Sequence, residues 1–147
     1  MADNDGLAAA AAMLAADDAS MRLGIELVEL AVGRARLRMR VTEAMLNGHR
    51  ICHGGYVFLL ADTAFAVACN TYGRSTVAAG GDVTFLQPVG AGEVLVADAV
   101  ERARYGNSGL YDVSVAREDG TVVAEFRGRS RMLRTATGTE LLAPAPT

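Results

Sequence analysis

His53-Gly54-Gly55-Tyr56-Val57-Phe58-Leu59-Leu60-Ala61-Asp62-Thr63-Ala64-Phe65-Ala66-Val67-Ala68-Cys69-Asn70 is the stretch on which the fold turns. Asp62 is the only charged residue between His53 and Arg74. A helix apolar on every face is a buried helix, and the pattern predicts one from Gly54 to about Tyr72, stopped by Gly73. Two glycines at its start leave the first N–H groups bare and open to close approach. A carboxylate in such a helix is costly unless it is paired or has work to do. An isolated acid and a naked helix tip together suggest attack on a carbonyl.

Upstream of this helix, residues 22–31 and 34–41 read as two strands joined at Val32-Gly33. In the second, Arg34, Arg36, Arg38 and Arg40 alternate with Ala35, Leu37 and Met39, which is the period of a strand with one solvated face. Residues 42–53 form a loop with an Asn47-Gly48 turn, and the alanine-rich segment 6–19 is predicted to be helical. Downstream, strands are predicted over 76–86, 93–104, 109–117 and 121–133, with turns at Gly106-Asn107-Ser108-Gly109 and Glu118-Asp119-Gly120. The order predicts an α+β domain spanning 1–147, an antiparallel sheet wrapped around one long central helix. Its core covers about 20–134, and the Thr-, Ala- and Pro-rich tail 135–147 is expected to fray.

Composition excludes several classes of function. The net charge of −3 and pI near 5.3 argue against general attraction to nucleic acid. All 14 basic residues are Arg, so a Schiff-base lysine is excluded. Cys52 and Cys69 make no disulfide framework and suit a reduced cytoplasm. The N-terminus opens with Asp3 and Asp5, not a basic segment, so no signal peptide is expected. The apolar run is too short for a membrane span. His49 and His53 flank Cys52 without the ligand count of a zinc site, and no phosphate-binding glycine loop or nucleophile elbow occurs.

Geometry constrains the carbonyl chemistry. Asp62 lies eight residues beyond Gly54, roughly 12 Å along a helix axis. One reacting carbon must sit about 3 Å from both an oxyanion donor and the attacking group, so one helix cannot supply both. Two antiparallel helices of a symmetric pair can, giving two equivalent sites. There the Gly54 N–H and the helix dipole would polarise the carbonyl, and Asp62 from the partner would attack directly or deprotonate a water. A thioester suits this equipment, because a thiolate leaves without a strong general acid.

The longer pattern Asn47-Gly48…Cys52-His53-Gly54-Gly55…Leu60-Ala61-Asp62-Thr63-Ala64-Phe65-Ala66…Cys69-Asn70…Gly73 resembles the signature of PaaI-type acyl-CoA thioesterases, hotdog-fold enzymes associated with phenylacetate catabolism. The similarity continues through Leu23-Gly24-Ile25, Phe85-Leu86-Gln87-Pro88, Gly109–Val113 and Phe126–Ser130, covering roughly residues 7–134. The resemblance implies Asp62 as the catalytic acid, Gly54 as the oxyanion donor, Asn47 as a polar group near the thioester and His53 as a residue shaping the loop before the helix. It marks Gly55, Phe58, Thr63, Arg129 and Ser130 as substrate contacts. Where some relatives place a Ser or Thr to hold water, this chain offers Ala66 or Ala78.

The resemblance also implies an acyl-CoA substrate of the phenylacetyl or hydroxyphenylacetyl type, no cofactor and no metal. It implies neither a nucleic-acid nor a membrane partner, and a cytoplasmic homotetramer built as a dimer of hotdog dimers. Two other readings keep the fold. A hotdog enoyl-thioester hydratase or dehydratase would use His53 to carry a proton, and a non-catalytic acyl-CoA-binding protein would bind the ester without turnover.

Overall fold

The computed structural model describes residues 2–134. Helices α1 (Ala2–Ala15) and α2 (Asp18–Arg22) lead into strands β1 (Glu26–Ala31) and β2 (Arg34–Arg40). After a 3-10 turn at Glu43–Met45 come helix α3 (Gly54–Cys69) and strands β3 (Thr76–Phe85), β4 (Val94–Tyr105), β5 (Ser108–Arg117) and β6 (Val122–Met132). The strands form one antiparallel sheet of order β1-β2-β4-β5-β6-β3. Strand periodicity decides which residues face α3. Ala35, Leu37 and Met39 of β2, Tyr111, Val113 and Val115 of β5, and Ala124 and Phe126 of β6 are all buried. The alternating arginines of β2 lie on the outer face, where Arg34 and Arg36 pair with Asp98.

The sheet closes tightly on α3 where β6 carries a glycine. A Cβ on Gly128 would lie 2.9 Å from both Cδ atoms of Phe65 and from Phe126 Cε1. Neither ring has room to move, since Phe65 is fully buried and Phe126 nearly so. Gly128→Ala is therefore expected to destabilise the fold by about 1–3 kcal/mol through overpacking. Urea unfolding checks this, and an unchanged midpoint would show that the rings can yield.

Three local features differ from the sequence expectation. First, α3 ends at Cys69, not Tyr72, because the Asn70 side chain replaces the next turn. Asn70 Nδ2 donates to the carbonyls of Ala66 (2.8 Å) and Thr76 (2.9 Å), while Oδ1 accepts the Thr76 amide at 2.9 Å. The chain is thereby tied straight into β3.

Second, the N-terminal segment is two helices. Asp17 caps α2 by accepting the Ser20 amide at 3.0 Å, and residues 22–25 are spent on the exit of that helix before β1 begins. α1 meets the chain just past the end of α3 through Gly6, where a Cβ would collide with the Thr71 carbonyl oxygen.

Third, α3 is not enclosed on all sides. Gly55, Phe58, Leu59, Asp62 and Ala66 recur at helical spacing and are exposed or half-buried. The neighbouring edge strand β3 is largely exposed as well, with Ala78, Ala79, Gly81 and Asp82 open to solvent.

Candidate active site

The loop before α3 is built around Asn47. Its Oδ1 accepts the amides of His49 (2.9 Å) and Ile51 (3.3 Å), and its backbone amide donates to the Ile51 carbonyl at 2.8 Å. Arg50 accordingly adopts φ 62°, a left-handed turn position. With Oδ1 committed to the loop, the Asn47 NH2 is the end available as a donor. The Cys52 and His53 amides then anchor the loop exit to the carbonyls of Val89 (2.7 Å) and Met45 (2.8 Å).

His53 is the N-cap of α3. Its Nδ1 accepts the Gly55 amide at 2.9 Å, and its carbonyl accepts the Tyr56 amide at 3.0 Å. Nδ1 used as an acceptor places the neutral ring's proton on Nε2. The Gly54 N–H is the first-turn donor that His53 leaves unclaimed. A cavity of about 430 Å³ lies at this tip, lined by Asn47, Cys52, Gly54, Val57, Phe85 and Pro88 among others. A Cβ at position 54 would lie 2.7 Å from Cζ of the exposed Phe85 ring, so glycine here lets that ring close over the helix tip.

Asp62 stands on the open stripe of α3, two turns beyond the tip. No hydrogen bond from the described residues reaches its carboxylate. Burial raises its pKa above the usual carboxylate range, and the negative charge of Asp17 adds to the rise. An unpaired carboxylate with raised basicity on an uncovered face can take a proton from water or attack a carbonyl.

The structure groups Asn47, Gly54 and Gly55 at the helix tip, with His53 capping the turn, and Phe58 on the Asp62 stripe. Phe58 also meets Phe126 edge to face at 5.4 Å. Thr63 and Ser130, expected as substrate contacts, sit elsewhere. Thr63 is 7% exposed with its hydroxyl 3.1 Å from Ser20 Oγ, and Ser130 is 4% exposed on the inner face of β6. Arg129 lies on the outer face, 3.4 Å from Asp82. Ala66 shares the open stripe with Asp62, whereas Ala78 lies on the exposed edge strand. Sequence reasoning missed Phe85 and Cys52 as cavity walls and Asp17 as a neighbour of Asp62. The Asp17-Asp18-Ala19-Ser20 capping spacing was the available signal for the last.

A single antiparallel sheet curled over one helix, with a cavity at the helix tip, defines the hotdog architecture. The thioesterase superfamily model matches residues 49–124. The acyl-coenzyme A thioesterase PaaI of Escherichia coli K12 is 44% identical over 122 residues, spanning 83% of this chain and 87% of that protein. The solved structure of the E. coli PaaI protein from the phenylacetic acid degradation operon superposes with a TM-score of 0.86 at 40% identity, covering 90% of this chain and 96% of that one. A variant of the phenylacetic acid degradation protein PaaI from Thermus thermophilus gives a TM-score of 0.76 at 37% identity, covering 80% of this chain and 100% of its own. The chain belongs to the thioesterase superfamily and is a thioester hydrolase. Among the described residues no helix is long and apolar enough to cross a membrane.

Proposed function

We propose that the protein hydrolyses acyl-CoA thioesters of the phenylacetyl or hydroxyphenylacetyl type, releasing the free acid and CoA in phenylacetate breakdown. The observation that carries this reading is Asp62, an unpaired acid with raised pKa on the one stripe of α3 that its own sheet leaves open. A second copy, packed antiparallel along that stripe and the bare β3 edge, brings the Gly54 tip of one chain to the Asp62 of the other. The likeness to the E. coli and Thermus proteins supports an aromatic acyl group, and the resemblance supports a further pairing of dimers into a tetramer.

In this site the Gly54 N–H and the α3 dipole hold the developing oxyanion. The NH2 of Asn47 donates beside it, and Asp62 delivers the oxygen nucleophile, its own or that of a water it deprotonates. The C–S bond then breaks and CoA leaves as its thiolate. Phe58 borders the acyl chain, Gly55 lets the ester approach the tip, and Arg129, exposed on β6, meets a CoA phosphate. No cofactor or metal enters this scheme. The capping role of His53 favours hydrolysis over enoyl hydration, because its Nδ1 is occupied in holding the helix end.

A panel of aromatic and aliphatic acyl-CoA esters, assayed with a thiol reagent, tests the reading. Cys69 stays silent in such an assay, since it is buried and burial pushes its thiol up to about 12, and a blank without ester corrects for Cys52 on the cavity wall. Aryl-acetyl esters are expected to show the highest kcat/KM. A preference for straight-chain esters would remove the aromatic assignment, and tight ester binding without CoA release would replace hydrolysis by binding alone.

A further inference from the structure

The hydroxyls of Ser20 and Thr63 meet at 3.1 Å in the seam between α2 and α3, where both residues are buried. Ser20 Oγ also lies 2.6 Å from Asp17 Oδ2, and the Ser20 amide donates to Asp17 Oδ1 at 3.0 Å. An ionised carboxylate only accepts hydrogen bonds, so the Ser20 O–H is committed to Asp17, and the Thr63 O–H donates in turn to Ser20 Oγ. This relay runs from α3 to α2 and ends on one carboxylate. Thr63 directly follows Asp62, so the relay fixes Asp17 against the turn of α3 that bears the catalytic acid.

Capping α2 does not explain why the residue is Asp. Asn and Ser cap equally well, and what distinguishes Asp is its charge. We propose that Asp17 is a positioning residue for the reaction at Asp62, its carboxylate held by Ser20, which Thr63 ties to α3, so that two negative charges oppose one another across the α2–α3 seam. The proposal rests on the catalytic role assigned to Asp62 above.

The surroundings leave Asp17 as the nearby charge. Toward α3, the buried residues of β2 and β4 are apolar, and β3, β5 and β6 add Thr76, Tyr111, Gly109 and Ser130. α1 turns Gly6, Ala10 and Leu14 inward. On α2, Asp18 and Arg22 are exposed, and on α3 the other titratable side chain coupled to Asp62 is the buried thiol of Cys69. The Tyr72 hydroxyl donates to Glu101 beyond the far end of the helix. Burial is the larger cause of the raised pKa of Asp62 and Asp17 the second. A carboxylate opposed in this way holds more firmly the proton it takes from water.

Asp17→Asn keeps the cap and removes the charge, and Asp17→Ser repeats the test with a different capping group. In either variant the acid limb of kcat/KM is expected to move to lower pH by about half a unit or more. A purely structural Asp17 would lower the melting temperature and leave the limb in place. A folded variant with an unmoved limb overturns the proposal. Carbon-13 titration of the Asp62 carboxyl in wild type and variant reads the same displacement without turnover, and identical curves overturn it too. Retained activity in Asp62→Asn would instead remove the catalytic reading of Asp62, while the carboxyl titration would still decide the role of Asp17.

Discussion

Asp62→Asn is expected to lose turnover by roughly 10²–10⁴-fold on its best acyl-CoA ester while unfolding at a higher temperature than wild type at neutral pH. The loss follows from removing the group that supplies or activates the nucleophile. The gain follows from linkage. The pKa of Asp62 in the folded chain lies above its unfolded value. Between the two values the native state keeps a proton that the unfolded chain has released, so stability falls as pH rises through that window. Above it, the ionised carboxylate is a constant burden on the fold that the neutral amide does not carry. The stability difference should therefore fade as pH falls below the ordinary aspartate pKa, and the acid limb of wild-type kcat/KM should stand above that pKa. Steady-state kinetics and calorimetry on the purified variant check both parts. Wild-type turnover in Asp62→Asn would end the assignment, and a lowered melting temperature at neutral pH would show that the carboxylate is held by a favourable partner.

Gly54→Val should cost at least about 10²-fold in kcat/KM, the scale expected when a reacting group is displaced by an ångström or so. The added Cβ falls on the Phe85 ring, with ring carbons at 2.7, 3.1 and 3.2 Å. That ring is 53% exposed and can swing aside, so the fold should survive. The backbone N–H also remains, and what is lost is close approach of the ester to it. Co-expression with Asp62→Asn gives the sharper result. In a two-fold pair, each mixed dimer has one site with both wild-type groups and one with neither. Two inactive variants should then recover about a quarter of wild-type activity under random pairing. A mixture as dead as its parents would mean that the helix tip and the acid do not meet across two chains.

Much of the architecture was legible in the sequence because strand alternation is a local property. The Arg34–Arg40 pattern and the glycine-bearing turns located β2 and the β4–β5 and β5–β6 hairpins to within a few residues. The end of α3 was not legible, since it depends on Asn70 reaching a strand six residues away. The break at Asp17 was marked only by its capping spacing, set among alanines that favour helix on both sides of it. At the site, Asn47, His53 and Gly54 were found together because they lie on one short loop-to-helix passage. Thr63 and Ser130 lie apart from that tip because adjacency in sequence does not fix which way a side chain turns. Thr63 is a third of a turn from Asp62 and faces another helix, and Ser130 faces inward while Arg129 beside it faces out. Phe85 entered the cavity wall from a strand that contact across the fold, not spacing, brings to the helix tip.

The open margin of β3 has a consequence for every measurement of robustness made on this protein. Among the described residues β3 ends the sheet, and a second copy aligned beside it, as in the pairing proposed above, would supply mates for its outer amides and carbonyls. Dilution works against that encounter, so heat resistance should climb with the amount of protein in the tube. Comparisons between variants then call for matched molarity, and a dilution series is the simplest test of whether the proposed pair is the working unit.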